Sequence, residues 1–125
     1  MQGSELRSLL PPFLLLLILD RPAHGYDLIE RLAGLGAADV EPGHVYRVLR
    51  GLERDLSVTS RWETPGAGPA RRRYELTAKG RADLEAWIDR LVELGGAIDA
   101  CLAGWARANT SHASQGAARR AAISH

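Results

Sequence analysis

Apolar residues run almost without a break from Leu9 to Leu19, interrupted only by Pro11 and Pro12. Prolines suit the first turn of a helix, where no backbone N–H donor is needed. Phe13 to Leu19 is apolar on every side, so the pattern predicts a first helix buried all round. Asp20-Arg21-Pro22-Ala23 ends it, because proline disfavours a helical residue before it. A second helix is predicted from about His24 to Leu35, with Tyr26, Ile29, Leu32, Ala33 and Leu35 on its inner side, and Gly34 and Gly36 close it. Asp39-Val40-Glu41-Pro42-Gly43 leads into a third helix. There Val45, Val48, Leu49 and Leu52 form the apolar stripe, and His44, Arg47, Arg50, Gly51 and Arg54 occupy the opposite face.

Beyond the third helix the period changes from helical to alternating. Ser57 to Glu63 and Arg71 to Thr77 are rich in β-branched or alternating positions and predict the two strands of a hairpin. Their connection, Thr64 to Ala70, is too long and glycine-rich for a tight turn and is expected to be a mobile loop. Thr77 is a good N-cap for a last helix running from about Ala78 to Arg107. Along it Leu84, Trp87, Leu91, Leu94, Ile98, Cys101 and Trp105 recur at alternating spacings of three and four, a heptad seam of the kind that pairs helices. Gly95 and Gly96 fall in its middle, where a bend or a close backbone contact is expected. From Asn109 onward no apolar period remains, which predicts disorder. The expected plan is an N-terminal arm (1–10), a winged helix-turn-helix DNA-binding domain (11–77), a C-terminal dimerisation helix (78–107) and a disordered tail (108–125).

Composition narrows the class without changing this plan. The 125 residues suffice for one domain with a modest core, and 46% hydrophobic with 25% charged residues is ordinary for a folded soluble protein. The Leu9–Leu19 stretch is short of the roughly 20 apolar residues a membrane span needs. Read as a signal peptide, it is followed by Asp20-Arg21-Pro22 where a small-residue cleavage site should stand. A single cysteine, Cys101, cannot form an internal disulfide and fits a reducing, cytoplasmic setting. Four scattered histidines give no metal-ligand spacing, and neither a cofactor nor a membrane partner is expected. No nucleophile–base pair is visible, and Gly66-Ala67-Gly68-Pro69 lacks the following helix that a phosphate-binding loop requires, so an enzyme is not expected.

Net charge is only +1, but it is unevenly spread. Between Glu41 and Gly80 eight basic side chains stand against five acidic ones, whereas from Arg81 to Ala100 two basic stand against five acidic. A basic middle followed by an acidic helix points to a local polyanion-binding surface.

Three helices, a hairpin and a further helix, in that order, describe a mainly α (α+β) fold: a winged helix-turn-helix with a long C-terminal helix. Such a domain presents the polar face of its third helix to a DNA major groove and its hairpin loop to the backbone. Arg47 and Arg50, one turn apart, then face guanine edges or phosphates. Arg71, Arg72 and Arg73 stand beside the loop, and at least two of them point away from the core towards phosphates. Singly, a charged helix face or an arginine-rich strand is as well read as ordinary solvated surface. Some winged helices bind proteins, so a protein-interaction module remains the rival.

The residues themselves resemble a family. His24-Gly25-Tyr26-Asp27-Leu28-Ile29, then Pro42 to Glu53, then Gly68 to Gly80 with Arg71-Arg72-Arg73-Tyr74-Glu75-Leu76-Thr77-Ala78-Lys79-Gly80, look like the PadR family of bacterial repressors. The single C-terminal helix resembles the smaller PadR subfamily. The resemblance implies a cytoplasmic repressor, homodimeric on an inverted-repeat double-stranded DNA operator, and released by a small-molecule effector or a change in the dimer. It also implies that Gly43, His44 and Tyr46 join Arg47 and Arg50 at the DNA. His44 departs from the family's Ser/Thr, exchanging a hydroxyl for an imidazole. Leu56-Ser57 departs from Gly-Leu, which makes the left-handed exit from the third helix less comfortable. The resemblance places an effector between subunits, beside Trp87 and Leu91, although the family tryptophan aligns near Leu91 and Trp87 and Trp105 also read as packing residues of the dimer. Asp83, Asp89 and Glu93 read as a solvated face or as a cation-selecting one.

Overall fold

Residues 4–37, 39–64 and 66–123 are described by a computed structural model. Residues 1–3 of the expected arm, Pro65 of the expected mobile loop and the last two residues of the expected tail lie outside the described residues. The elements follow in the order α1 (Ser4–Arg7), α2 (Leu10–Asp20), β1 (Ala23–His24), α3 (Gly25–Ala33), α4 (Pro42–Arg54), β2 (Val58–Glu63), β3 (Arg71–Leu76) and α5 (Ala78–Ile123). The chain divides into two compact units, Met1–Ile88 and Asp89–His125.

The first unit is a winged helix built around α2. Leu10, Leu14, Leu15 and Ile18 of α2 are buried against Leu28 and Leu32 of α3, Val45, Leu49 and Leu52 of α4, and Val58, Tyr74 and Leu84. The expected all-round burial of this helix is corrected. Leu16 and Leu19 are about two-fifths exposed, because α3, α4 and β3 cover only part of its circumference. The phase expected for α3 also needs correction. Its helix begins at Gly25, and Gly25, Leu28 and Leu32 point inward, leaving Tyr26, Ala33 and Leu35 exposed. For α4 the predicted stripe is the observed one, with Val45, Leu49 and Leu52 buried and Val48 packed against them. Arg31 ties α3 to the end of α2, its Nη2 donating to the Leu17 carbonyl at 2.6 Å, a favourable place for a cation at a helix C-terminus.

The sheet has three strands in the order β1-β3-β2, all antiparallel, one more than the two-stranded hairpin expected. Ala23 pairs with Tyr74 and His24 with Arg73, so the short segment after Pro22 is an edge strand. In the hairpin Ser60 pairs with Tyr74, Arg61 with Arg73 and Trp62 with Arg72.

Two helices end in the same way, and only one uses glycine. After α3, Ala37 N donates to Leu32 O and Gly36 N to Ala33 O, with Gly36 at φ 85°. After α4, Ser57 N donates to Leu52 O and Leu56 N to Glu53 O, with Leu56 at φ 63°. These are paired Schellman closures, and the second keeps its geometry with a leucine in the left-handed position.

Thr77 caps α5 as expected: its Oγ1 accepts from Gly80 N at 2.9 Å and donates to Leu56 O at 2.6 Å. A Cβ at Gly80 would overlap the Ser57 carbonyl, so glycine is required where the helix crosses the base of the wing. The helix continues through Gly95 and Gly96 to Ile123. The expected end at Arg107 and tail from residue 108 are corrected. Alanine, which recurs through this segment at 108, 113, 117, 118, 121 and 122, has the highest helix propensity even without an apolar stripe. An added Cβ at Gly95 or Gly96 meets nothing within 4 Å, so no close backbone contact among the described residues explains them.

Candidate nucleic-acid interface

Helix α4 and the strands present their basic side chains in two different ways. On α4, Arg47, Arg50 and Arg54 are exposed and make no ion pair among the described residues. His44 is half-buried and Gly43 exposed at the start of the same helix. A Cβ on Gly43 would meet nothing within 4 Å, and its backbone has no left-handed conformation to satisfy. The fold itself therefore does not demand glycine there.

On the wing the three arginines separate. Arg71 is exposed and has no ion pair among the described residues. Arg72 reaches back to α4, its Nη1 3.2 Å from Glu53 Oε1, and its guanidinium lies over the Trp62 ring at 5.1 Å. Arg73, on the opposite face of the strand, donates to Glu63 at 3.1 Å. Glu63 also meets His24 Nε2 at 3.2 Å. The hydrogen bond from Arg73 lowers the Glu63 carboxyl below its ordinary value, with His24 adding to the effect against partial desolvation. Arg61 is likewise engaged, 2.6 Å from Glu75. The outer face of the sheet is thus a neutralised ladder, and Arg73 Nε is buried without a partner.

Tyr46 lies between these groups. Its ring packs on Gly25, where a Cβ would overlap ring carbon Cε1, which gives a physical reason for glycine at the start of α3. The ring is packed on that side and 36% exposed overall. Between α3, α4 and the wing opens a cleft of about 540 Å³, lined among others by Tyr46, Trp62, Tyr74, Arg50, Arg71 and Arg72. Sequence reasoning did not pick out Tyr26, Trp62 or Tyr74 for this surface. The signal available was the alternation of β2 and β3, which puts Trp62, Arg72 and Tyr74 on the face that looks towards α4.

The seam residues of α5 also separate. Leu84 is 4% exposed and belongs to the winged-helix core, and Trp87 packs against that core. Both are spent at least partly within the chain. In the second unit Leu91 is half-buried, and Leu94, Ile98 and Trp105 are exposed, together with Val92 and Leu102. Cys101 is an exposed free thiol. Asp83 accepts from Ser57 Oγ at 2.6 Å and from Lys79 Nζ at 2.9 Å, and these hold its carboxyl below the usual range. Among the described residues no cluster of His, Cys, Asp and Glu could hold a metal ion, and no helix is long and apolar enough to cross a membrane.

Comparison with known proteins bears on this surface. A family model described as the transcriptional regulator PadR-like family matches residues 14–86. Among solved structures, a PadR-like transcriptional regulator of Bacillus cereus is 23% identical with a TM-score of 0.72, over 80% of this chain and 97% of that one. A Streptococcus transcriptional regulator is 20% identical with a TM-score of 0.68, over 78% and 96%. The PadR of Bacillus subtilis in complex with operator DNA is 24% identical with a TM-score of 0.59, over 64% of this chain and 46% of that one. No curated protein sequence matches the chain.

Proposed function

Because the chain belongs to the PadR-like family of transcriptional regulators, we propose that it is a cytoplasmic repressor that docks on an inverted-repeat operator as a homodimer. The observation that carries this reading is the sorting of arginines. Arg47, Arg50 and Arg71 are exposed on α4 and the adjoining wing without carboxylate partners among the described residues, whereas Arg61, Arg72 and Arg73 are paired. Unpaired guanidiniums on a recognition helix have guanine edges and phosphates as natural partners. Support comes from the Bacillus subtilis PadR, which shares the fold and whose structure holds operator DNA.

Roles follow from position. Arg47 and Arg50 enter the major groove and read bases. Arg71 contacts the backbone beside the groove, and Arg72 is held in place by Glu53 and Trp62 as a second phosphate contact. Gly43 leaves room for the backbone to approach a phosphate at the start of α4, where its own N–H can meet an anion. Tyr46 supplies a hydroxyl at the same edge, and His44 an imidazole hydrogen-bonding group. On α5, Leu91, Leu94, Ile98 and Trp105 form the seam that a second copy covers, continued from Leu84 and Trp87, which anchor the helix to the domain. A small effector beside Trp87 and Leu91 would alter the spacing of the two DNA-binding domains.

The test compares two variants on operator and scrambled DNA. Arg47→Ala should lose about 1–3 kcal/mol on operator and much less on scrambled DNA, because a base contact is removed. Arg71→Ala should weaken both equally and flatten the salt dependence by about one phosphate contact. Equal losses from both variants on both DNAs would contradict the assigned roles.

A further inference from the structure

The cleft between α4 and the wing presents a phenol hydroxyl that no protein group engages among the described residues. Tyr74 is 4% exposed, lines the cleft, and its hydroxyl makes no hydrogen bond among the described residues. Burial raises its pKa, with Arg72, Glu53, Tyr46 and Arg50 as its electrostatic neighbours. It is therefore a neutral phenol with a proton to donate. The hydroxyl is not sealed from solvent, since Arg73 Nε is the buried polar side-chain atom without a partner among the described residues, so a ligand acceptor in the cleft would take the place of water on it.

The walls specify the occupant. Tyr46 and Trp62 offer ring faces, and Arg72 is already stacked on Trp62, an arrangement that receives a planar ring. Glu53 neutralises Arg72, which leaves Arg50 and Arg71 as two uncompensated guanidiniums lining one cavity. Two such charges match a dianion, and a phosphate monoester carries close to two negative charges at neutral pH where a carboxylate carries one. A volume of about 540 Å³ lies within the range of small-molecule sites.

We propose that this cleft binds a nucleoside monophosphate, with its base against Tyr46 and Trp62, its phosphate at Arg50 and Arg71, and an acceptor at the Tyr74 hydroxyl. Ligand and DNA then compete for the same arginines, a direct route to derepression that is separate from any effector between subunits. The binding does not rest on the DNA-docking reading, but the competition does.

Calorimetric titration of the full chain with AMP, adenosine and inorganic phosphate tests the site without DNA. AMP should bind more tightly than either fragment, and Tyr74→Phe and Arg71→Ala should each weaken it about tenfold at unchanged thermal stability. Equal binding of AMP and phosphate, or AMP affinity indifferent to both variants, overturns the site. A second titration adds AMP to the protein bound to fluorescent operator. Release of DNA at concentrations that saturate the cleft supports the competition, and retention of DNA by AMP-loaded protein overturns it. DNA that fails to bind even without AMP overturns the docking reading and the competition together, while the calorimetry still decides the site.

Discussion

Leu56 carries a backbone conformation that a leucine pays for in steric strain, at φ 63°. The left-handed region costs a residue with a Cβ roughly 1–2 kcal/mol, while glycine adds about 0.5–1 kcal/mol of unfolded-state entropy. Its side chain is 66% exposed, so little burial is lost on truncation. Leu56→Gly should therefore stabilise the protein by about 0.5–1 kcal/mol, read as a higher midpoint in urea. A lower midpoint would show that leucine fills a role other than closing the helix. Gly43 offers the opposite test: with open space around its missing Cβ, Gly43→Ala should leave stability unchanged or slightly raised and still weaken DNA binding. Parallel losses of stability and affinity would remove it from the interface. At this scale the sequence was partly legible. The departure at Leu56 was visible because the exit from a helix has a known steric demand. The burial of Tyr26 was misjudged because the inner stripe of α3 is Gly25, Leu28 and Leu32, one residue and so about 100° out of phase with a stripe begun at Tyr26.

Helix α5 joins two demands of different origin. Its first turns are fixed by specific contacts: the Thr77 cap, Gly80 against the Ser57 carbonyl, and Asp83 held by Ser57 and Lys79. Since the Asp83 carboxyl is lowered in the folded state, its contribution is fully present above the ordinary aspartate value, about pH 4, and is lost as pH falls through the lowered value. Asp83→Asn should thus reduce stability at pH 7 and make the loss below pH 4 shallower, as followed by thermal melts across pH. An unchanged acid profile would discard this role. Farther along, the exposed Ile98 (50%) has nothing to lose within the chain. Ile98→Asp should leave the fold intact and yield monomers by light scattering, whereas a persisting dimer would place the interface elsewhere. The heptad was legible because it is periodic. The helical continuation to Ile123 was not, since alanine-rich sequence without an apolar face reads equally as disorder, and the two-residue strand β1 is too short to leave any period.

For the whole molecule, the order of elements carried more than any single residue. Helix, helix, helix, hairpin and helix was readable from changes of period, and it places α4 beside the wing whatever the details of either. What the order does not reveal is which arginines are already neutralised, because Glu53, Glu63 and Glu75 are brought to Arg72, Arg73 and Arg61 only by the register of the sheet and its packing on α4. The unpaired arginines of α4 and the wing are proposed to dock on specific DNA. The measurement that tests it most directly is titration of the full chain against the DNA upstream of its own gene and against a scrambled copy, each at two salt concentrations. Preferential binding to the upstream DNA is expected, with a steep loss of affinity with salt as phosphate contacts release counterions. Equal affinity for both DNAs, or binding indifferent to salt, would contradict it.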